Sequence, residues 1–272
     1  MKICVYGSRG SMPFSRYGSK FGGNSSCMSI KSGDEELIFD AGSGLFAYQE
    51  KLRLGGGVNF EGLTPINILI SHLHLDHIIG LGLFAPAWDG AHVRLYTVSR
   101  SSEPLKEQVL GIFAPPYWPK NMKSLDNVEI VEIELNKPFK IGVFTVTAFI
   151  AAHPDATTSF HVTDGTKNFV HLLDSEYDSE LYLNYASHRK FLENADLVVF
   201  DACYLPDDYP KYAGWGHSSV RHGVDIANKW GVKLMMFSHF SQHYDDDELR
   251  SLTRYFDGKN FILARDGLEF EI

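Results

Sequence analysis

The densest chemistry in the chain lies in Ser71-His72-Leu73-His74-Leu75-Asp76-His77. His72, His74, Asp76 and His77 place four metal-ligating side chains in a six-residue window. Imidazole nitrogen and carboxylate oxygen suit zinc, manganese or iron. Three imidazoles and a carboxylate are costly to bury without a shared partner. The spacing therefore predicts a metal site rather than a solvated polar turn. Just upstream, Ile66-Asn67-Ile68-Leu69-Ile70 reads as a buried strand. The cluster falls where a strand ends, a usual place for a site in an α/β fold.

His72 and His74 are two residues apart and can face one way on an extended segment. Asp76 and His77 begin the next turn and can face a second ion. Two ions need more ligands than this window supplies, so the rest must come from afar. Three positions fit. His153 follows the apolar run 146–150, Asp174 follows 169–173, and His239 follows 234–237 after Ser238. Each is a potential ligand just beyond a buried run, as if strands converged with their carboxyl ends at one place. Asp174 can bridge two like charges, or merely turn the chain before Ser175. His92, His161, His171, His188 and His222 offer no comparable partner logic. His243 is a candidate for substrate contact only.

The elements that must position these groups are mostly strands. Apolar β-rich runs occur at 2–6, 27–30, 37–39, 66–70, 93–97, 128–133, 143–150, 169–173, 197–200 and 234–237. Helical spacing links Leu45, Tyr48 and Leu52, then Val220, Val224 and Ala227, then Leu249, Leu252 and Phe256. Ser218 is a candidate N-cap for the second helix and Gly231 its stop. Asp245-Asp246-Asp247 suits the start of the third. No internal repeat or low-complexity linker interrupts the chain. The pattern predicts an α/β protein of two layered sheets covered by helices, with residues 1–272 as one domain.

Bulk properties narrow the partners. A net charge of −9 argues against long nucleic acid as a partner, which requires basic surface. A small anionic substrate stays open, because bound dications reverse the local field. Cys4, Cys27 and Cys203 form no CxxC pair, and their odd number suits a reducing compartment. The opening Met1–Gly7 is too soon broken to read as a signal peptide. No stretch approaches the ~20 apolar residues of a membrane span. The expectation is a cytoplasmic protein without membrane contact. A homodimer is allowed, since the sequence does not set the oligomeric state.

The HxHxDH pattern of His72-Leu73-His74-Leu75-Asp76-His77 resembles that of the metallo-β-lactamase superfamily, and the resemblance covers nearly the whole chain. Gly7-Ser8-Arg9-Gly10-Ser11 with Gly22-Gly23-Asn24-Ser25-Ser26 is similar to the opening of its phosphodiesterase branch. Phe39-Asp40-Ala41-Gly42, Gly214-Trp215-Gly216-His217-Ser218 and Ser238-His239-Phe240-Ser241-Gln242 resemble further blocks. The likeness is to phosphoribosyl cyclic phosphodiesterase-like proteins and, more distantly, to tRNase Z. It implies a four-layer αβ/βα sandwich with a dinuclear site between the sheets. By position, His72, His74 and His153 would hold one ion, Asp76, His77 and His239 the other, and Asp174 would bridge. Two divalent ions, zinc first and manganese as the alternative, would be the cofactors. Asp40 would orient ligands without binding metal. His217, oriented by Asp201, would protonate the leaving alkoxide. Asp76, His217 and Asp201 are thus the catalytic candidates.

This resemblance implies a metal-dependent hydrolase of a small phosphodiester or cyclic phosphate. Only 20 residues separate His153 from Asp174, enough for a hairpin over 158–162 and 169–173. That leaves no room for the long tRNA-gripping insertion that tRNase Z often carries there. Arginine is scarce near the motifs, so metals would carry most phosphate recognition. Ala114-Pro115-Pro116-Tyr117-Trp118-Pro119 is a candidate roof over the pocket, and Gly42-Ser43-Gly44 a weak phosphate cradle. Three other readings stay open. A thioester or lactam hydrolase has less need of His217 and Asp201. A di-iron redox protein resembles this chain less at His74, and a non-catalytic binding module predicts a missing ligand.

Overall fold

Alternation along the first strands fixes the architecture. Ile3 and Val5 are buried in one apolar cluster, and Cys4 and Tyr6, pointing the opposite way, are buried in another. A strand buried on both faces lies between two layers. The computed structural model describes residues 1–15, 18–54, 64–155, 157–177, 186–258 and 260–272. The strands, in chain order, are β1 (Lys2–Gly7), β2 (Cys27–Ser32), β3 (Glu35–Phe39), β4 (Ile66–Leu69), β5 (Val93–Thr97), β6 (Val128–Glu132), β7 (Phe139–Ile141), β8 (Phe144–Ile150), β9 (Thr158–Thr163), β10 (Asn168–Leu172), β11 (Leu197–Asp201), β12 (Met235–Ser238), β13 (Phe261–Leu263) and β14 (Glu269–Glu271). Helices are α1 (Leu45–Leu54), α2 (Leu75–Ile78), α3 (Ala85–Trp88), α4 (Leu105–Leu110), α5 (Ala186–Leu192), α6 (Val220–Trp230) and α7 (Asp246–Ser251).

Among the described residues two seven-stranded sheets result, in the orders β14-β1-β2-β3-β4-β5-β6 and β13-β12-β11-β10-β9-β8-β7. Each has one half paired antiparallel and one half paired parallel. Ile3, Val5, Leu37 and Phe39 face Phe144, Val146, Phe160 and Phe169 across the inter-sheet core. Cys4, Tyr6, Ile38 and Ile68 pack outward on Leu45, Tyr48, Leu81 and Leu110 of the helical layer. The predicted αβ/βα sandwich is the fold observed.

Local sequence explains the element ends. Gly231 closes α6 at φ 65°, a left-handed conformation that glycine adopts without a Cβ penalty. The N-cap of α6 is Ser219, in a capping box with His222, and not Ser218. Ser218 is diverted: its Oγ donates to the Ser175 carbonyl at 2.7 Å and accepts the Tyr177 N–H at 2.9 Å. Asp245 caps α7 by accepting the Asp247 and Glu248 N–H groups, as the acidic run predicts. The helix stops at Ser251, with Leu252–Tyr255 a 3-10 turn and Phe256 beyond it. The 158–172 hairpin forms as β9 and β10, its turn held by Asp164 Oδ1, which accepts the Thr166 and Lys167 N–H groups at 2.9 Å. Among the described residues, no helix is long and apolar enough to cross a membrane.

Candidate active site

The parallel strands of both sheets, together with β8, point their carboxyl ends at one place. From the first sheet, β3 delivers Asp40, and β4 leads through Ser71 into the 72–77 window. There His72 still belongs to extended chain, His74 is the N-cap of α2, and Asp76 and His77 lie in its single turn. From the second sheet, β10 leads to Asp174, β11 ends in Asp201, β12 leads to His239, and β8 leads to His153. Asp40, Asp174 and His239 all have positive φ, at 58°, 47° and 64°. Such a conformation costs a non-glycine residue about 1 kcal/mol, and its recurrence at three strand ends marks a site held by its surroundings.

The side chains form two groups of four that share one residue. His72, His74, His153 and Asp174 bring ligand atoms within 4.8 Å of one another, as do Asp76, His77, Asp174 and His239. Asp174 faces both: Oδ2 lies 3.5 Å from His72 Nε2, and Oδ1 lies 3.2 Å from His77 Nε2 and 3.1 Å from His239 Nε2. Asp76 Oδ2 closes the second group, 3.2 Å from His239 Nε2. The seven residues named as candidate metal ligands are thus brought together, in groupings that correspond to the two sets the family resemblance implies.

A further ring of contacts orients them. Asp40 accepts the Ser71 N–H at 2.7 Å and the His77 Nδ1 proton at 2.8 Å, which leaves His77 Nε2 facing the cluster. Ser11 N–H donates to Asp76 Oδ2 at 2.7 Å. Gly10 lies flat on the His239 ring, where a Cβ would come within 2.4 Å of Cε1. The Ser71 carbonyl accepts from the Arg100 guanidinium, which also reaches Thr97, Val98 and Thr158. His171, set aside on sequence grounds, is buried with Nε2 3.9 Å from Asp40 Oδ2 and its ring stacked on Phe39. Its position inside an apolar strand was the signal.

His217 and Asp201 pair as expected, with Nδ1 2.8 Å from Oδ2. Asp201 also accepts the Cys203 and Ser218 N–H groups at 2.9 and 3.2 Å. The His217 ring stacks on His239 at 5.2 Å between centroids and meets His153 edge-on at 5.7 Å, so it adjoins both groups. Burial acts to lower its pKa, but the Asp201 carboxylate outweighs that and raises it to about 9.

Charge in the cluster is strongly coupled. Burial favours the neutral acid at Asp174 and Asp76. Yet His239, His77 and His72 hold Asp174 well below the carboxylate range, and His77 and His239 do the same for Asp76. Burial also opposes charge on His77, but Asp174, Asp76 and Asp40 raise it far above an ordinary imidazole. Burial lowers His72, and lowers His153 to about 4. Buried carboxylates thus keep a proton on His77, which is the charge a dication replaces. His72 Nε2 and Asp174 Oδ1 are buried without a hydrogen-bond partner. Orphaned buried lone pairs of this kind fit a metal.

Three sequence expectations fail nearby. The 114–119 segment does not roof the cluster: Trp118 packs on Phe113 and on Gly82 of the first sheet's helical layer. The aromatic wall beside His217 is instead Tyr204, Tyr212 and Trp215, with His243 also lining that cavity. Gly42-Ser43-Gly44 is no phosphate cradle, because its N–H groups donate to Ser26 O, Ser25 Oγ and Ser25 O. Arginine is not scarce, since Arg9 lies within the first glycine-rich block and Arg100 arrives from the segment after β5. Their N–H groups go largely to backbone carbonyls, so they brace loops.

A sandwich with imidazoles and carboxylates gathered at the sheet ends defines a metallohydrolase-type architecture. Residues 36–240 match the family model described as "Beta-lactamase superfamily domain", and the chain belongs to that superfamily. It is 24% identical over 274 residues to the probable metallo-hydrolase YhfI of Bacillus subtilis, covering all of both chains. The crystal structure of that metallo-β-lactamase fold protein superimposes with TM-score 0.72 at 23% identity, covering 99% of this chain and 98% of that one. Ribonuclease Z of Haloarcula marismortui is 22% identical over 312 residues, covering 99% and 96% of the two chains. A diphosphatase from the PhnP family gives TM-score 0.67 at 20% identity, with 99% and 96% coverage.

Proposed function

We propose that this chain hydrolyses a small phosphodiester or cyclic phosphate, using two divalent ions held by His72, His74 and His153 and by Asp76, His77 and His239, with Asp174 between them. The observation that carries this reading is the shared carboxylate: one aspartate turns an oxygen to each of two four-residue groups. Zinc suits the nitrogen-rich donor set, with manganese as the alternative. When bound, such ions supply a nucleophile at neutral pH and neutralise phosphate charge.

The chain's own residues do the rest. Asp40 and Ser11 fix the orientation of His77 and Asp76. Asp201 holds His217 through Nδ1, so Nε2 is the atom that delivers a proton to the departing oxygen. The Asp201 carboxylate at Nδ1 favours the protonated form of His217, which suits it to that role. A thioester or lactam leaving group has less need of this pair. The short β9–β10 hairpin and the net charge of −9 support a small substrate over a folded RNA. Names such as ribonuclease Z and PhnP-family diphosphatase among its relatives support phosphorus chemistry. We place the active unit in one domain, residues 1–272, and in the cytoplasm, a reading supported by three free, buried cysteines.

The test is turnover of bis(p-nitrophenyl) phosphate and of an alkyl diester by zinc- and manganese-loaded protein. Asp76→Ala is expected to abolish both. Loaded protein that cleaves neither diester, yet opens a thioester or lactam, would overturn the proposal.

A further inference from the structure

Beside His217 lies a cavity of about 530 Å³, large enough for a drug-sized ligand. We propose that it is the subsite of the leaving group, and that it takes a planar, uncharged ring carried on the departing alcohol. This inference rests on the phosphodiesterase reading. It goes further by stating which side of the scissile bond is recognised, and by what.

Placement comes first. His217 forms part of the cavity wall together with Ser11, whose N–H holds Asp76. The group that protonates the departing oxygen thus opens into this cavity. A second cavity, lined by His153, Pro154 and Glu176, lies across the Gly214–Gly216 loop and does not include His217. The departing half of the substrate therefore belongs on the Trp215 side.

The chemistry of the wall comes next. Tyr204 and Tyr212 stack with centroids 4.2 Å apart and planes within 10°. Tyr204 meets the His217 ring edge-on at 5.8 Å, and Trp215 stands edge-on to Tyr212 at 5.6 Å. Trp215 is 63% exposed, an indole left in water beside the proton donor. Exposed aromatic surface at a concave site is what a planar ligand buries. Among the described residues no lysine or arginine lines the cavity, whereas Asp208 and Glu248 do. Asp208 is neutralised by Lys211 at 2.6 Å, and the His217 imidazole is committed to the departing oxygen, so among the described residues the wall offers no lysine or arginine to a second phosphate. A ring without further phosphates is the better fit.

The wall is also rigid, which limits the ordering cost of binding. Gly214 and Gly216 have φ of 90° and 89°. Both N–H groups donate to the one Glu176 carboxylate, at 2.7 and 2.9 Å. Gly216 lies against His153, where a Cβ would come within 2.3 Å of the ring. The loop that presents Trp215 is thereby tied to the metal-binding cluster itself.

A mixed diester, methyl adenosin-5′-yl phosphate, makes the test direct. A water oxygen bonds to phosphorus and one P–O bond breaks, the electron pair leaving on oxygen and taking the His217 proton. If the ring occupies the cavity, the products are adenosine and methyl phosphate. If the ring lies elsewhere, they are adenosine 5′-monophosphate and methanol. We expect the first pair to predominate. Trp215→Ala should shift the product ratio toward the second by about tenfold, the scale of one lost stacking contact, and Trp215→Phe should restore most of it. Adenosine binding, measured by calorimetry without turnover, should weaken by a similar factor in Trp215→Ala and persist in Asp76→Ala. Adenosine that fails to bind, or a product ratio indifferent to Trp215, would overturn the subsite. Loss of diester turnover with Trp215-dependent adenosine binding intact would instead count against the phosphodiesterase reading and leave the ring site standing.

Discussion

The two halves of the candidate metal centre are built from similar ligands but held very differently. In the group of Asp76, His77, Asp174 and His239, every side chain is buried. Three of them are also held by neighbours: His77 by Asp40, Asp76 by Ser11, His239 by the Gly10 backbone. In the group of His72, His74, His153 and Asp174, His74 is 47% exposed at its side chain, and the carboxylate that pairs with it, Asp155, is itself 65% exposed. His153 is half-buried and sits under the Gly216 loop. The first group is a part of the core that needs positive charge to exist. The second borrows one wall from solvent. The same chemistry is thus structural on one side and adjustable on the other, and only Asp174 belongs to both.

That contrast can be broken in order of consequence. Asp174→Ala removes the shared carboxylate. Bound zinc should fall from two equivalents to one or none by elemental analysis, and diester turnover should fall on the order of 10³-fold or more. Retention of two tightly bound ions would remove Asp174 from its central position. Next, His77→Ala and His74→Ala should separate in metal-free protein. Losing His77 leaves Asp40 buried without its imidazole, and breaking a buried pair costs about 3–5 kcal/mol. Losing His74 removes an exposed side chain and should change stability by less than about 1 kcal/mol. Urea unfolding in a chelator checks both, and equal shifts would erase the distinction between the halves.

His217→Ala tests the group that neighbours both halves without belonging to either ligand set. Two metals should remain bound, while kcat on an alkyl diester falls by about 10²–10⁴. The loss on bis(p-nitrophenyl) phosphate should be much smaller, because nitrophenolate departs without a proton. A uniform loss on both substrates would argue that His217 shapes the site rather than protonates.

What the sequence made legible was whatever one strand or one short window decides. Polar residues placed just after apolar runs picked out His153, Asp174 and His239, because a strand fixes where its next residue goes. The long strands were readable by their alternation. Three-residue strands such as β7, β13 and β14 were not, since so short a run carries no period and gains its ladder only from a neighbour. Loop-to-loop contacts were equally silent. Asp266 accepts N–H groups from Ser8, Gly23 and Asn24, more than 240 residues away, and Glu176 anchors Gly214 and Gly216. Nothing local marks these carboxylates as different from surface acids. The matching order of antiparallel and parallel pairing in the two sheets left no repeat in the sequence, because pairing constrains pattern and not residue identity.

The smallest effect is the sharpest gauge of the open half. Asp155 Oδ2 lies 2.8 Å from His74 Nε2, and both side chains face water. An exposed pair of this kind gains little, because solvent screens it and ordering two side chains opposes it. If the half-site is as adjustable as its exposure indicates, Asp155→Asn should alter the affinity for the weaker zinc ion by less than about threefold at low salt. The difference should vanish near 1 M salt, where the screening length is about 3 Å. The tighter ion should be unaffected, since nothing in its buried shell touches Asp155. A loss of tenfold or more that survives high salt would mean that Asp155 orients His74 as firmly as Asp40 orients His77. The two halves would then differ in exposure but not in rigidity.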